Sequence, residues 1–268
     1  MRFLQNKLLL IGSGKWPDKI KSVLAAQDAS IDTVIIPARE FLNLDINTVK
    51  KLSSSRLLWI ATTPDNQFRI LDSIKGFENK VIIEKPFASN LHELNLILTY
   101  SSNSKNKIYV SEPWRHSQIW QVKKLEIERT SGKKNVLINR GGPIIRDYIT
   151  PAWDWMQHDI GLLSDLLDSK ESSLNILASI NQNRDNFNLK VKSGDTYDLE
   201  VNAGYMSRRC ETWHLNNELL INFATTGITS DHPLYNMFRY VSDENFISNL
   251  ETQLWLFIRV IKFLDKIN

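Results

Sequence analysis

The sequence predicts an α/β protein in two parts. A doubly wound parallel sheet is expected over residues 1–112, and an α+β domain with an open, mostly antiparallel sheet over residues 113–268. Three observations carry this expectation. Short apolar runs alternate with helical stripes from Leu8 to Ser111, joined by short turns, which is the pattern of a parallel sheet. After Ser111 the rhythm changes to longer runs that read as antiparallel strands. A length of 268 residues accommodates one large domain or two modest ones.

Bulk composition narrows the function classes. With 42% hydrophobic and 24% charged residues, the chain reads as an ordinary soluble globular protein. A formal charge of +3 is too small to imply nucleic acid, although it mildly favours anionic ligands. Cys210 is the single cysteine, so an internal disulfide and a cysteine-rich metal site are excluded, which suits a reducing cytoplasm. No apolar run approaches the ~20 residues needed to span a bilayer. The opening MRFLQNKLLLIGSG has the basic start and apolar run of a signal peptide but no small-residue cleavage site, and it reads as the first strand.

The first strand, Leu8 to Ile11, leads into Gly12-Ser13-Gly14-Lys15-Trp16-Pro17, and Ile20, Val23 and Leu24 mark the helix that follows. Strand, G-x-G and helix together form the context of a dinucleotide fingerprint. The first glycine permits the tight turn, and the second lets backbone N–H groups approach a pyrophosphate at the helix start. Pro17 stands where a third glycine is expected; proline suits a first helical turn. The second strand, Thr33 to Ile36, ends in Pro37-Ala38-Arg39 without the acid that bonds an NAD ribose. Arg39 is either a partner for the 2′-phosphate of NADP or a solvated loop arginine.

Ile46, Val49 and Leu52 mark the next helix, Leu57 to Ala61 the next strand, and Thr62-Thr63-Pro64-Asp65 a turn placed to lie under a cofactor. A stripe of Phe68, Leu71 and Ile74 leads to Gly76 and then to Val81-Ile82-Ile83-Glu84-Lys85-Pro86-Phe87. Pro86 cannot donate to a ladder and pushes Lys85 toward extended backbone. A lysine is thereby held at the carboxyl end of a buried strand, where open α/β sheets bind ligands. On that motif alone, a solvated strand end with a surface lysine is the simpler reading. Asn90 and Glu93 read as a capping box, with Leu91, Leu94 and Leu98 inward. Lys107 to Ser111 closes the run, counted as a sixth strand with the Glu-Lys-Pro strand as the fifth.

In the second half, Glu112-Pro113-Trp114-Arg115-His116 is a connector. A helix from about Gln118, a strand near Val136 and the turn Arg140-Gly141-Gly142-Pro143 follow. From Thr150 to Ser169, Trp155, Leu162, Leu163, Leu166 and Leu167 mark one amphipathic helix. Asp154 and His158 are spaced one helical turn apart, with Gly161 and Asp165 continuing that face. A carboxylate beside an imidazole orients the ring and raises its pKa, an arrangement for acid–base chemistry. In isolation the same spacing also describes a surface pair. Strands are expected over Leu174 to Ile180, Tyr197 to Met206, Arg209 to Leu215 and Leu219 to Phe223, the last two joined at Asn216-Asn217. A stripe from Ile247 through Leu250, Leu254, Phe257, Ile258 and Ile261 to Leu264 predicts one long C-terminal helix.

The glycine turn, Ala61-Thr62-Thr63-Pro64, Glu84-Lys85-Pro86 and Asp154-x-x-x-His158 occur in this order and context. Together they resemble the glucose–fructose oxidoreductase and inositol dehydrogenase family, Gfo/Idh/MocA, of which this would be a short member. The resemblance implies a Rossmann domain followed by a substrate-binding and dimerisation domain, NADP or NAD as cofactor, and a sugar, nucleotide-sugar or polyol as substrate. It implies Lys85, Asp154 and His158 as the catalytic set. Cofactor contacts would fall on Gly12, Ser13, Gly14, Lys15, Trp16, Arg39, Thr62, Thr63, Pro64, Glu84 and Lys85, although Glu84 also suits a structural role. Trp114, Arg115, Trp153 and Trp155 would face the substrate, and Arg115, Arg140 and Arg146 would accommodate a phosphate. A homo-oligomer through the second sheet is expected, with no metal, nucleic-acid or membrane partner. The alternatives are a non-catalytic nucleotide-binding regulator with the same fold, or a reductase of a non-sugar imine or ketone.

Overall fold

The computed structural model describes residues 7–54, 56–143, 149–167, 174–180, 186–225, 232–250 and 254–267, without the side chains of 178, 180 and 264–267. Arg146 lies outside these residues. In chain order the elements are β1 (Lys7–Gly12), α1 (Lys15–Gln27), β2 (Asp32–Ile36), α2 (Ala38–Leu42), α3 (Ile46–Ser53), β3 (Leu57–Ala61), α4 (Pro64–Ser73), β4 (Lys80–Ile83), α5 (Leu91–Asn103) and β5 (Lys107–Val110). A 3-10 turn (Pro113–His116) leads to α6 (Gln118–Arg129), β6 (Lys134–Gly142), α7 (Pro151–Asp154), α8 (Met156–Leu163), β7 (Asn175–Ile180) and β8 (Asn186–Ser193). The chain continues with β9 (Tyr197–Tyr205), β10 (Cys210–Leu215), β11 (Glu218–Asn222), α9 (Pro233–Ser242) and α10 (Trp255–Ile267). Two units result. The first takes Met1–Ser117 and Thr229–Glu251, and the second Gln118–Ile228 and Thr252–Asn268. Where the sequence suggested a single boundary after residue 112, the first unit is built from two separate segments.

In the first unit the sheet runs β2-β1-β3-β4-β5, and every neighbouring pair is parallel. Among the described residues this sheet has five strands, not six, so the Glu-Lys-Pro motif ends the fourth. Unbroken burial along Leu8–Gly12 and Leu57–Ala61 follows from having both faces covered. On one face Leu8, Leu10, Trp59, Ile82 and Tyr109 share a core with Ile20 and Leu24 of α1 and with Leu234, Met237, Phe238 and Val241 of α9. The late helix α9 therefore completes a layer that the alternation in the first half does not provide.

Beyond α9, residues 243–250 are not helical, and the C-terminal helix begins only at Trp255. Ile247 and Leu250 thus belong to an extended strap and not to the long helix expected from their spacing. The strap lies along β5, the last strand in the order. Asn249 accepts from Val110 N at 2.7 Å and donates to Val110 O at 2.8 Å, while Ser248 Oγ donates to Ile108 O at 2.5 Å. A side-chain amide thereby satisfies the backbone of an edge strand that would otherwise be open to mispairing.

The second unit's sheet runs β11-β10-β6-β9-β8-β7, antiparallel except for β6 beside β9. Alternate residues of β9 and β10 are buried, as in a sheet with one covered face. On the more open face Asn139, Asn202 and Asn188 lie in register, with amide contacts of 3.2 and 2.6 Å between neighbours. The β10–β11 hairpin turns at Asn216 and Asn217, with φ of 50° and 73°, as asparagine permits. No helix among the described residues is long and apolar enough to cross a membrane.

Candidate active site

Strand β1 delivers the glycine turn to the carboxyl end of the first sheet. A side chain at Gly12 would collide with the carbonyl of Ala61 at the end of β3 and come within 3.2 Å of the Pro17 ring, so only glycine fits. Gly14 has φ 91° with open space around it; there the backbone, and not crowding, calls for glycine. As the N-cap of α1, Gly14 offers no side-chain acceptor, so the backbone N–H groups of Lys15 and Trp16 are uncapped. Pro17 is buried inside the regular 13-residue helix and has no N–H to satisfy. Ser13, Gly14 and Lys15 are exposed, and Trp16 is 39% exposed beneath the Lys19 ammonium, 5.4 Å from its ring. Uncapped N–H groups and open space at a helix start are the features that suit an anion.

Arg39 stands just beyond β2, in the short helix α2 where a loop was expected. It is exposed and, among the described residues, has no ion-pair partner.

The ends of β3 and β4 are fastened to one another. Glu84 N continues the ladder by donating to Ile60 O at 2.9 Å. Beyond that bond the strands are tied by Gln67, a residue of α4 with no accessible surface, which the sequence reading passed over. Its Nε2 donates to Thr62 O at 2.8 Å, to Glu84 O at 2.9 Å and more weakly to Pro86 O at 3.4 Å. Its Oε1 is buried with no partner among the described residues, which costs roughly 1–3 kcal/mol. Thr63 begins α4, with Pro64 at the first helical position.

Glu84 is interior. Its Oε1 accepts from Trp59 Nε1 at 2.8 Å. Burial pushes its carboxyl above the ordinary range, opposed by the Ser111 hydroxyl, the Trp59 indole, the Lys85 ammonium and the Trp16 indole. Lys85 is half-buried, and its peptide bond to Pro86 is cis. Within the first unit, the side chain of Glu84 is held by Trp59 of β3, immediately before Lys85 of the Glu-Lys-Pro motif.

The connector after β5 turns inward. Arg115 is 6% exposed and donates from Nε to Glu112 Oε2 at 3.0 Å, an oxygen that also accepts from Asn249 Nδ2 at 3.2 Å. Its guanidinium is thus held in the interior, and Trp114 beside it is half-buried. His116 packs against Tyr109 and Tyr240, with its Nε2 2.6 Å from the Tyr109 hydroxyl. Burial, and secondarily the Arg115 charge, lower its pKa from 6.5 to about 4. Its folded-state pKa lies below the unfolded value, so its contribution to stability is present above pH 6.5 and is lost as pH falls toward 4. The loss is on the order of 3 kcal/mol. Urea titrations at several pH values should show this fall in the native chain and a flatter profile in His116→Gln; parallel profiles would refute it.

In the second unit the expected long helix is broken. α7 ends at Asp154, Trp155 intervenes and α8 begins at Met156, so Asp154 and His158 straddle a junction between two short helices. The junction is tightened by His158 N donating to Trp155 O at 3.3 Å. Asp154 is 5% exposed and His158 half-buried. Helix α8 closes at Leu163, so Asp165 lies in the following turn, where it accepts from Trp120 Nε1 at 3.2 Å. Gly161 is buried and not an open approach. Trp153 meets Phe257 of α10 edge-on at 5.6 Å. Trp155 is half-buried against Gly142, and its indole N–H is buried without an acceptor among the described residues.

Asp159, next to His158, anchors α8 to the sheet. Its carboxylate accepts from Arg140 of β6 through both oxygens, and Oδ1 also accepts from Trp213 Nε1 at 2.8 Å. Asp159 is inaccessible, and Arg140 is 2% exposed. Arg140 further faces Glu211 at 3.4 Å, and Glu211 in turn pairs with the exposed Arg209 at 2.6 Å. Arg140 is therefore committed to the interior and does not serve as a surface phosphate contact.

Among the described residues no group of three or more His, Cys, Asp or Glu side chains is disposed to hold a metal. Comparison with known proteins finds no matching family model and no matching curated sequence. Solved structures do share the fold. A Gfo/Idh/MocA family oxidoreductase from Vibrio cholerae aligns with TM-score 0.66 at 10% identity, covering 97% of this chain and 99% of its own. The WlbA (WbpB) dehydrogenase from Thermus thermophilus, in complex with NAD and UDP-GlcNAcA, aligns at 0.67 with 12% identity and coverages of 97% and 94%. The myo-inositol dehydrogenase from Lactobacillus casei, in complex with NAD(H) and myo-inositol, aligns at 0.64 with 14% identity and the same coverages of 97% and 94%.

Proposed function

We propose that the chain is an NAD(P)-dependent oxidoreductase acting on a carbon of a sugar, nucleotide-sugar or polyol. The observation that carries this is that a glycine-opened, uncapped helix start after β1 and a lysine just past β4 both lie at the carboxyl end of one parallel sheet. The residues present fit a dinucleotide. Gly12 lets the turn pass close against the end of β3, Gly14 leaves open space for a pyrophosphate at the N–H groups of α1, Thr62, Thr63 and Pro64 form the neighbouring strand end, and exposed Arg39 suits a 2′-phosphate. The ligands of the structural neighbours, NAD with UDP-GlcNAcA and NAD(H) with myo-inositol, point to the same substrate class.

When bound, the nicotinamide accepts or supplies the hydride. The chain's own groups handle the proton and the charge. In the oxidising direction His158 takes the hydroxyl proton as the carbonyl forms, and it returns that proton in reduction. The carboxylate of Asp154, four residues before it, orients the imidazole. Lys85 donates a hydrogen bond to the reacting oxygen and offsets negative charge developing there. Trp114, Trp153 and Trp155 supply aromatic surface for a sugar ring, and a cytoplasmic enzyme assembling as a homo-oligomer fits this role.

Calorimetric titration with NADPH and NADH tests the cofactor. NADPH is expected to bind more tightly, and Arg39→Ala to weaken it by roughly 10- to 100-fold, the worth of a charge-assisted hydrogen bond, while leaving NADH nearly unchanged. Failure of the wild-type chain to bind either dinucleotide would overturn the proposal.

A further inference from the structure

We infer that Gln67 is a positioning residue for Lys85, because its one buried amide holds the carbonyls on both sides of that lysine, Glu84 O and Pro86 O, and ties them to Thr62 O of the neighbouring strand end. This rests on the oxidoreductase assignment above, in which Lys85 meets the reacting oxygen.

The sheet ladder between β3 and β4 ends at Ile60 and Ile83, with one further bond from Glu84 N. Past that point the strand ends have no ladder to align them, yet this is where the cofactor and lysine must be placed. Gln67 occupies the fourth position of α4, and helical side chains point back toward the helix N-terminus. From the first turn of α4 that direction leads to the strand ends. An amide carries two N–H donors, which match the two shorter bonds at 2.8 and 2.9 Å. The bond to Pro86 at 3.4 Å is a shared, weaker one. Leaving Oε1 buried and unpartnered is a cost that an apolar residue of the same shape would avoid. What the apolar residue could not do is satisfy those carbonyls. Glu84 is also held at its carboxylate by Trp59, so the residue before Lys85 is fixed at both its backbone and its side chain.

Gln67→Met keeps the shape and removes the donors. Two readouts apply to the purified full chain: the affinity for NADPH, and the pH dependence of Lys85 acetylation by acetic anhydride, followed by peptide mass spectrometry. The folded variant is expected to bind NADPH about 10-fold more weakly, as a displaced binding element does, with the Lys85 profile shifted from that of the wild type. A purely structural glutamine would change the melting temperature and move neither readout. A folded Gln67→Met whose affinity and Lys85 profile both match wild type overturns the inference. If the wild-type chain binds no dinucleotide while the Lys85 profile still shifts in the variant, positioning stands and the oxidoreductase assignment falls. Should Gln67→Met not fold, Gln67→Asn, which keeps the amide on a shorter stem, is read by the same two measurements and the same outcomes.

Discussion

Asp159→Ala is expected to destabilise the second unit by about 3–5 kcal/mol, the cost of removing one partner from a buried ion pair. The loss exceeds that of a surface pair because three hydrogen bonds from two buried side chains end on one carboxylate. Arg140, 2% exposed, would keep only its 3.4 Å approach to Glu211, and the indole N–H of Trp213 would lose its acceptor. Water cannot readily replace the carboxylate at a site with no accessible surface. Urea denaturation followed by tryptophan fluorescence measures the change, since Trp213 and Trp120 pack edge-to-face at 5.0 Å inside this unit. The pair need not be more stable than apolar residues of similar volume. Arg140→Met combined with Asp159→Leu should recover much of the loss, as replacement of whole buried networks does elsewhere. A loss below about 1 kcal/mol, the usual worth of an exposed pair, would mean that α8 is held to the sheet by its apolar residues alone.

The second large effect is on turnover. Lys85→Met and His158→Asn should each lower kcat by roughly 10²–10⁴-fold, the usual contribution of a positioned acid, base or charge-stabilising donor. Dinucleotide affinity should change far less, because the helix start of α1 proposed to hold the pyrophosphate is untouched. The methionine keeps much of the lysine's length, and the asparagine keeps a polar group where the imidazole was, so neither opens a large void. The measurement is single-turnover hydride transfer with a sugar or polyol identified by screening against bound cofactor. A Lys85→Met, His158→Asn double variant with full turnover would remove both residues from the mechanism.

The first sheet was legible in the sequence because parallel strands covered on both faces are written as continuous apolar runs, and Leu8–Ile11 and Leu57–Ala61 have no other use. The glycine turn and the Asn90 cap were legible for the same local reason: Asn90 Oδ1 accepts from Glu93 N at 2.9 Å, as its position implies. Glu93, however, reaches back to Ser89 and not to Asn90. Strand β8 was overlooked although Phe187, Leu189 and Val191 alternate correctly, and α9 although His232-Pro233 opens a clear stripe at Leu234, Met237, Phe238 and Val241. Those signals were present. The inward arginines were a different matter. Arg140 and Asp159 are 19 residues apart, and nothing local distinguishes a cation that will be buried beside a distant carboxylate from one that faces water. Gln67 was hidden similarly, since its partners are carbonyls at the ends of two strands. The break at Trp155 also had no local signature, because Trp155 itself keeps right-handed helical dihedrals.

The strap over β5 has a consequence for how the protein comes into being. Val110 and Asn249, which close the edge of the first sheet, are separated by 139 residues, so the chain emerging from a ribosome carries that edge uncovered while the larger segment of the second unit is made. At ordinary synthesis rates the interval is roughly 7–28 s, long compared with hydrophobic collapse of a segment this size. Throughout that time the apolar surface destined for α9 is also bare. The nascent first half is therefore a natural client for chaperones that shield strand edges, and a ribosome stalled before residue 232 would display an unfinished, adhesive sheet.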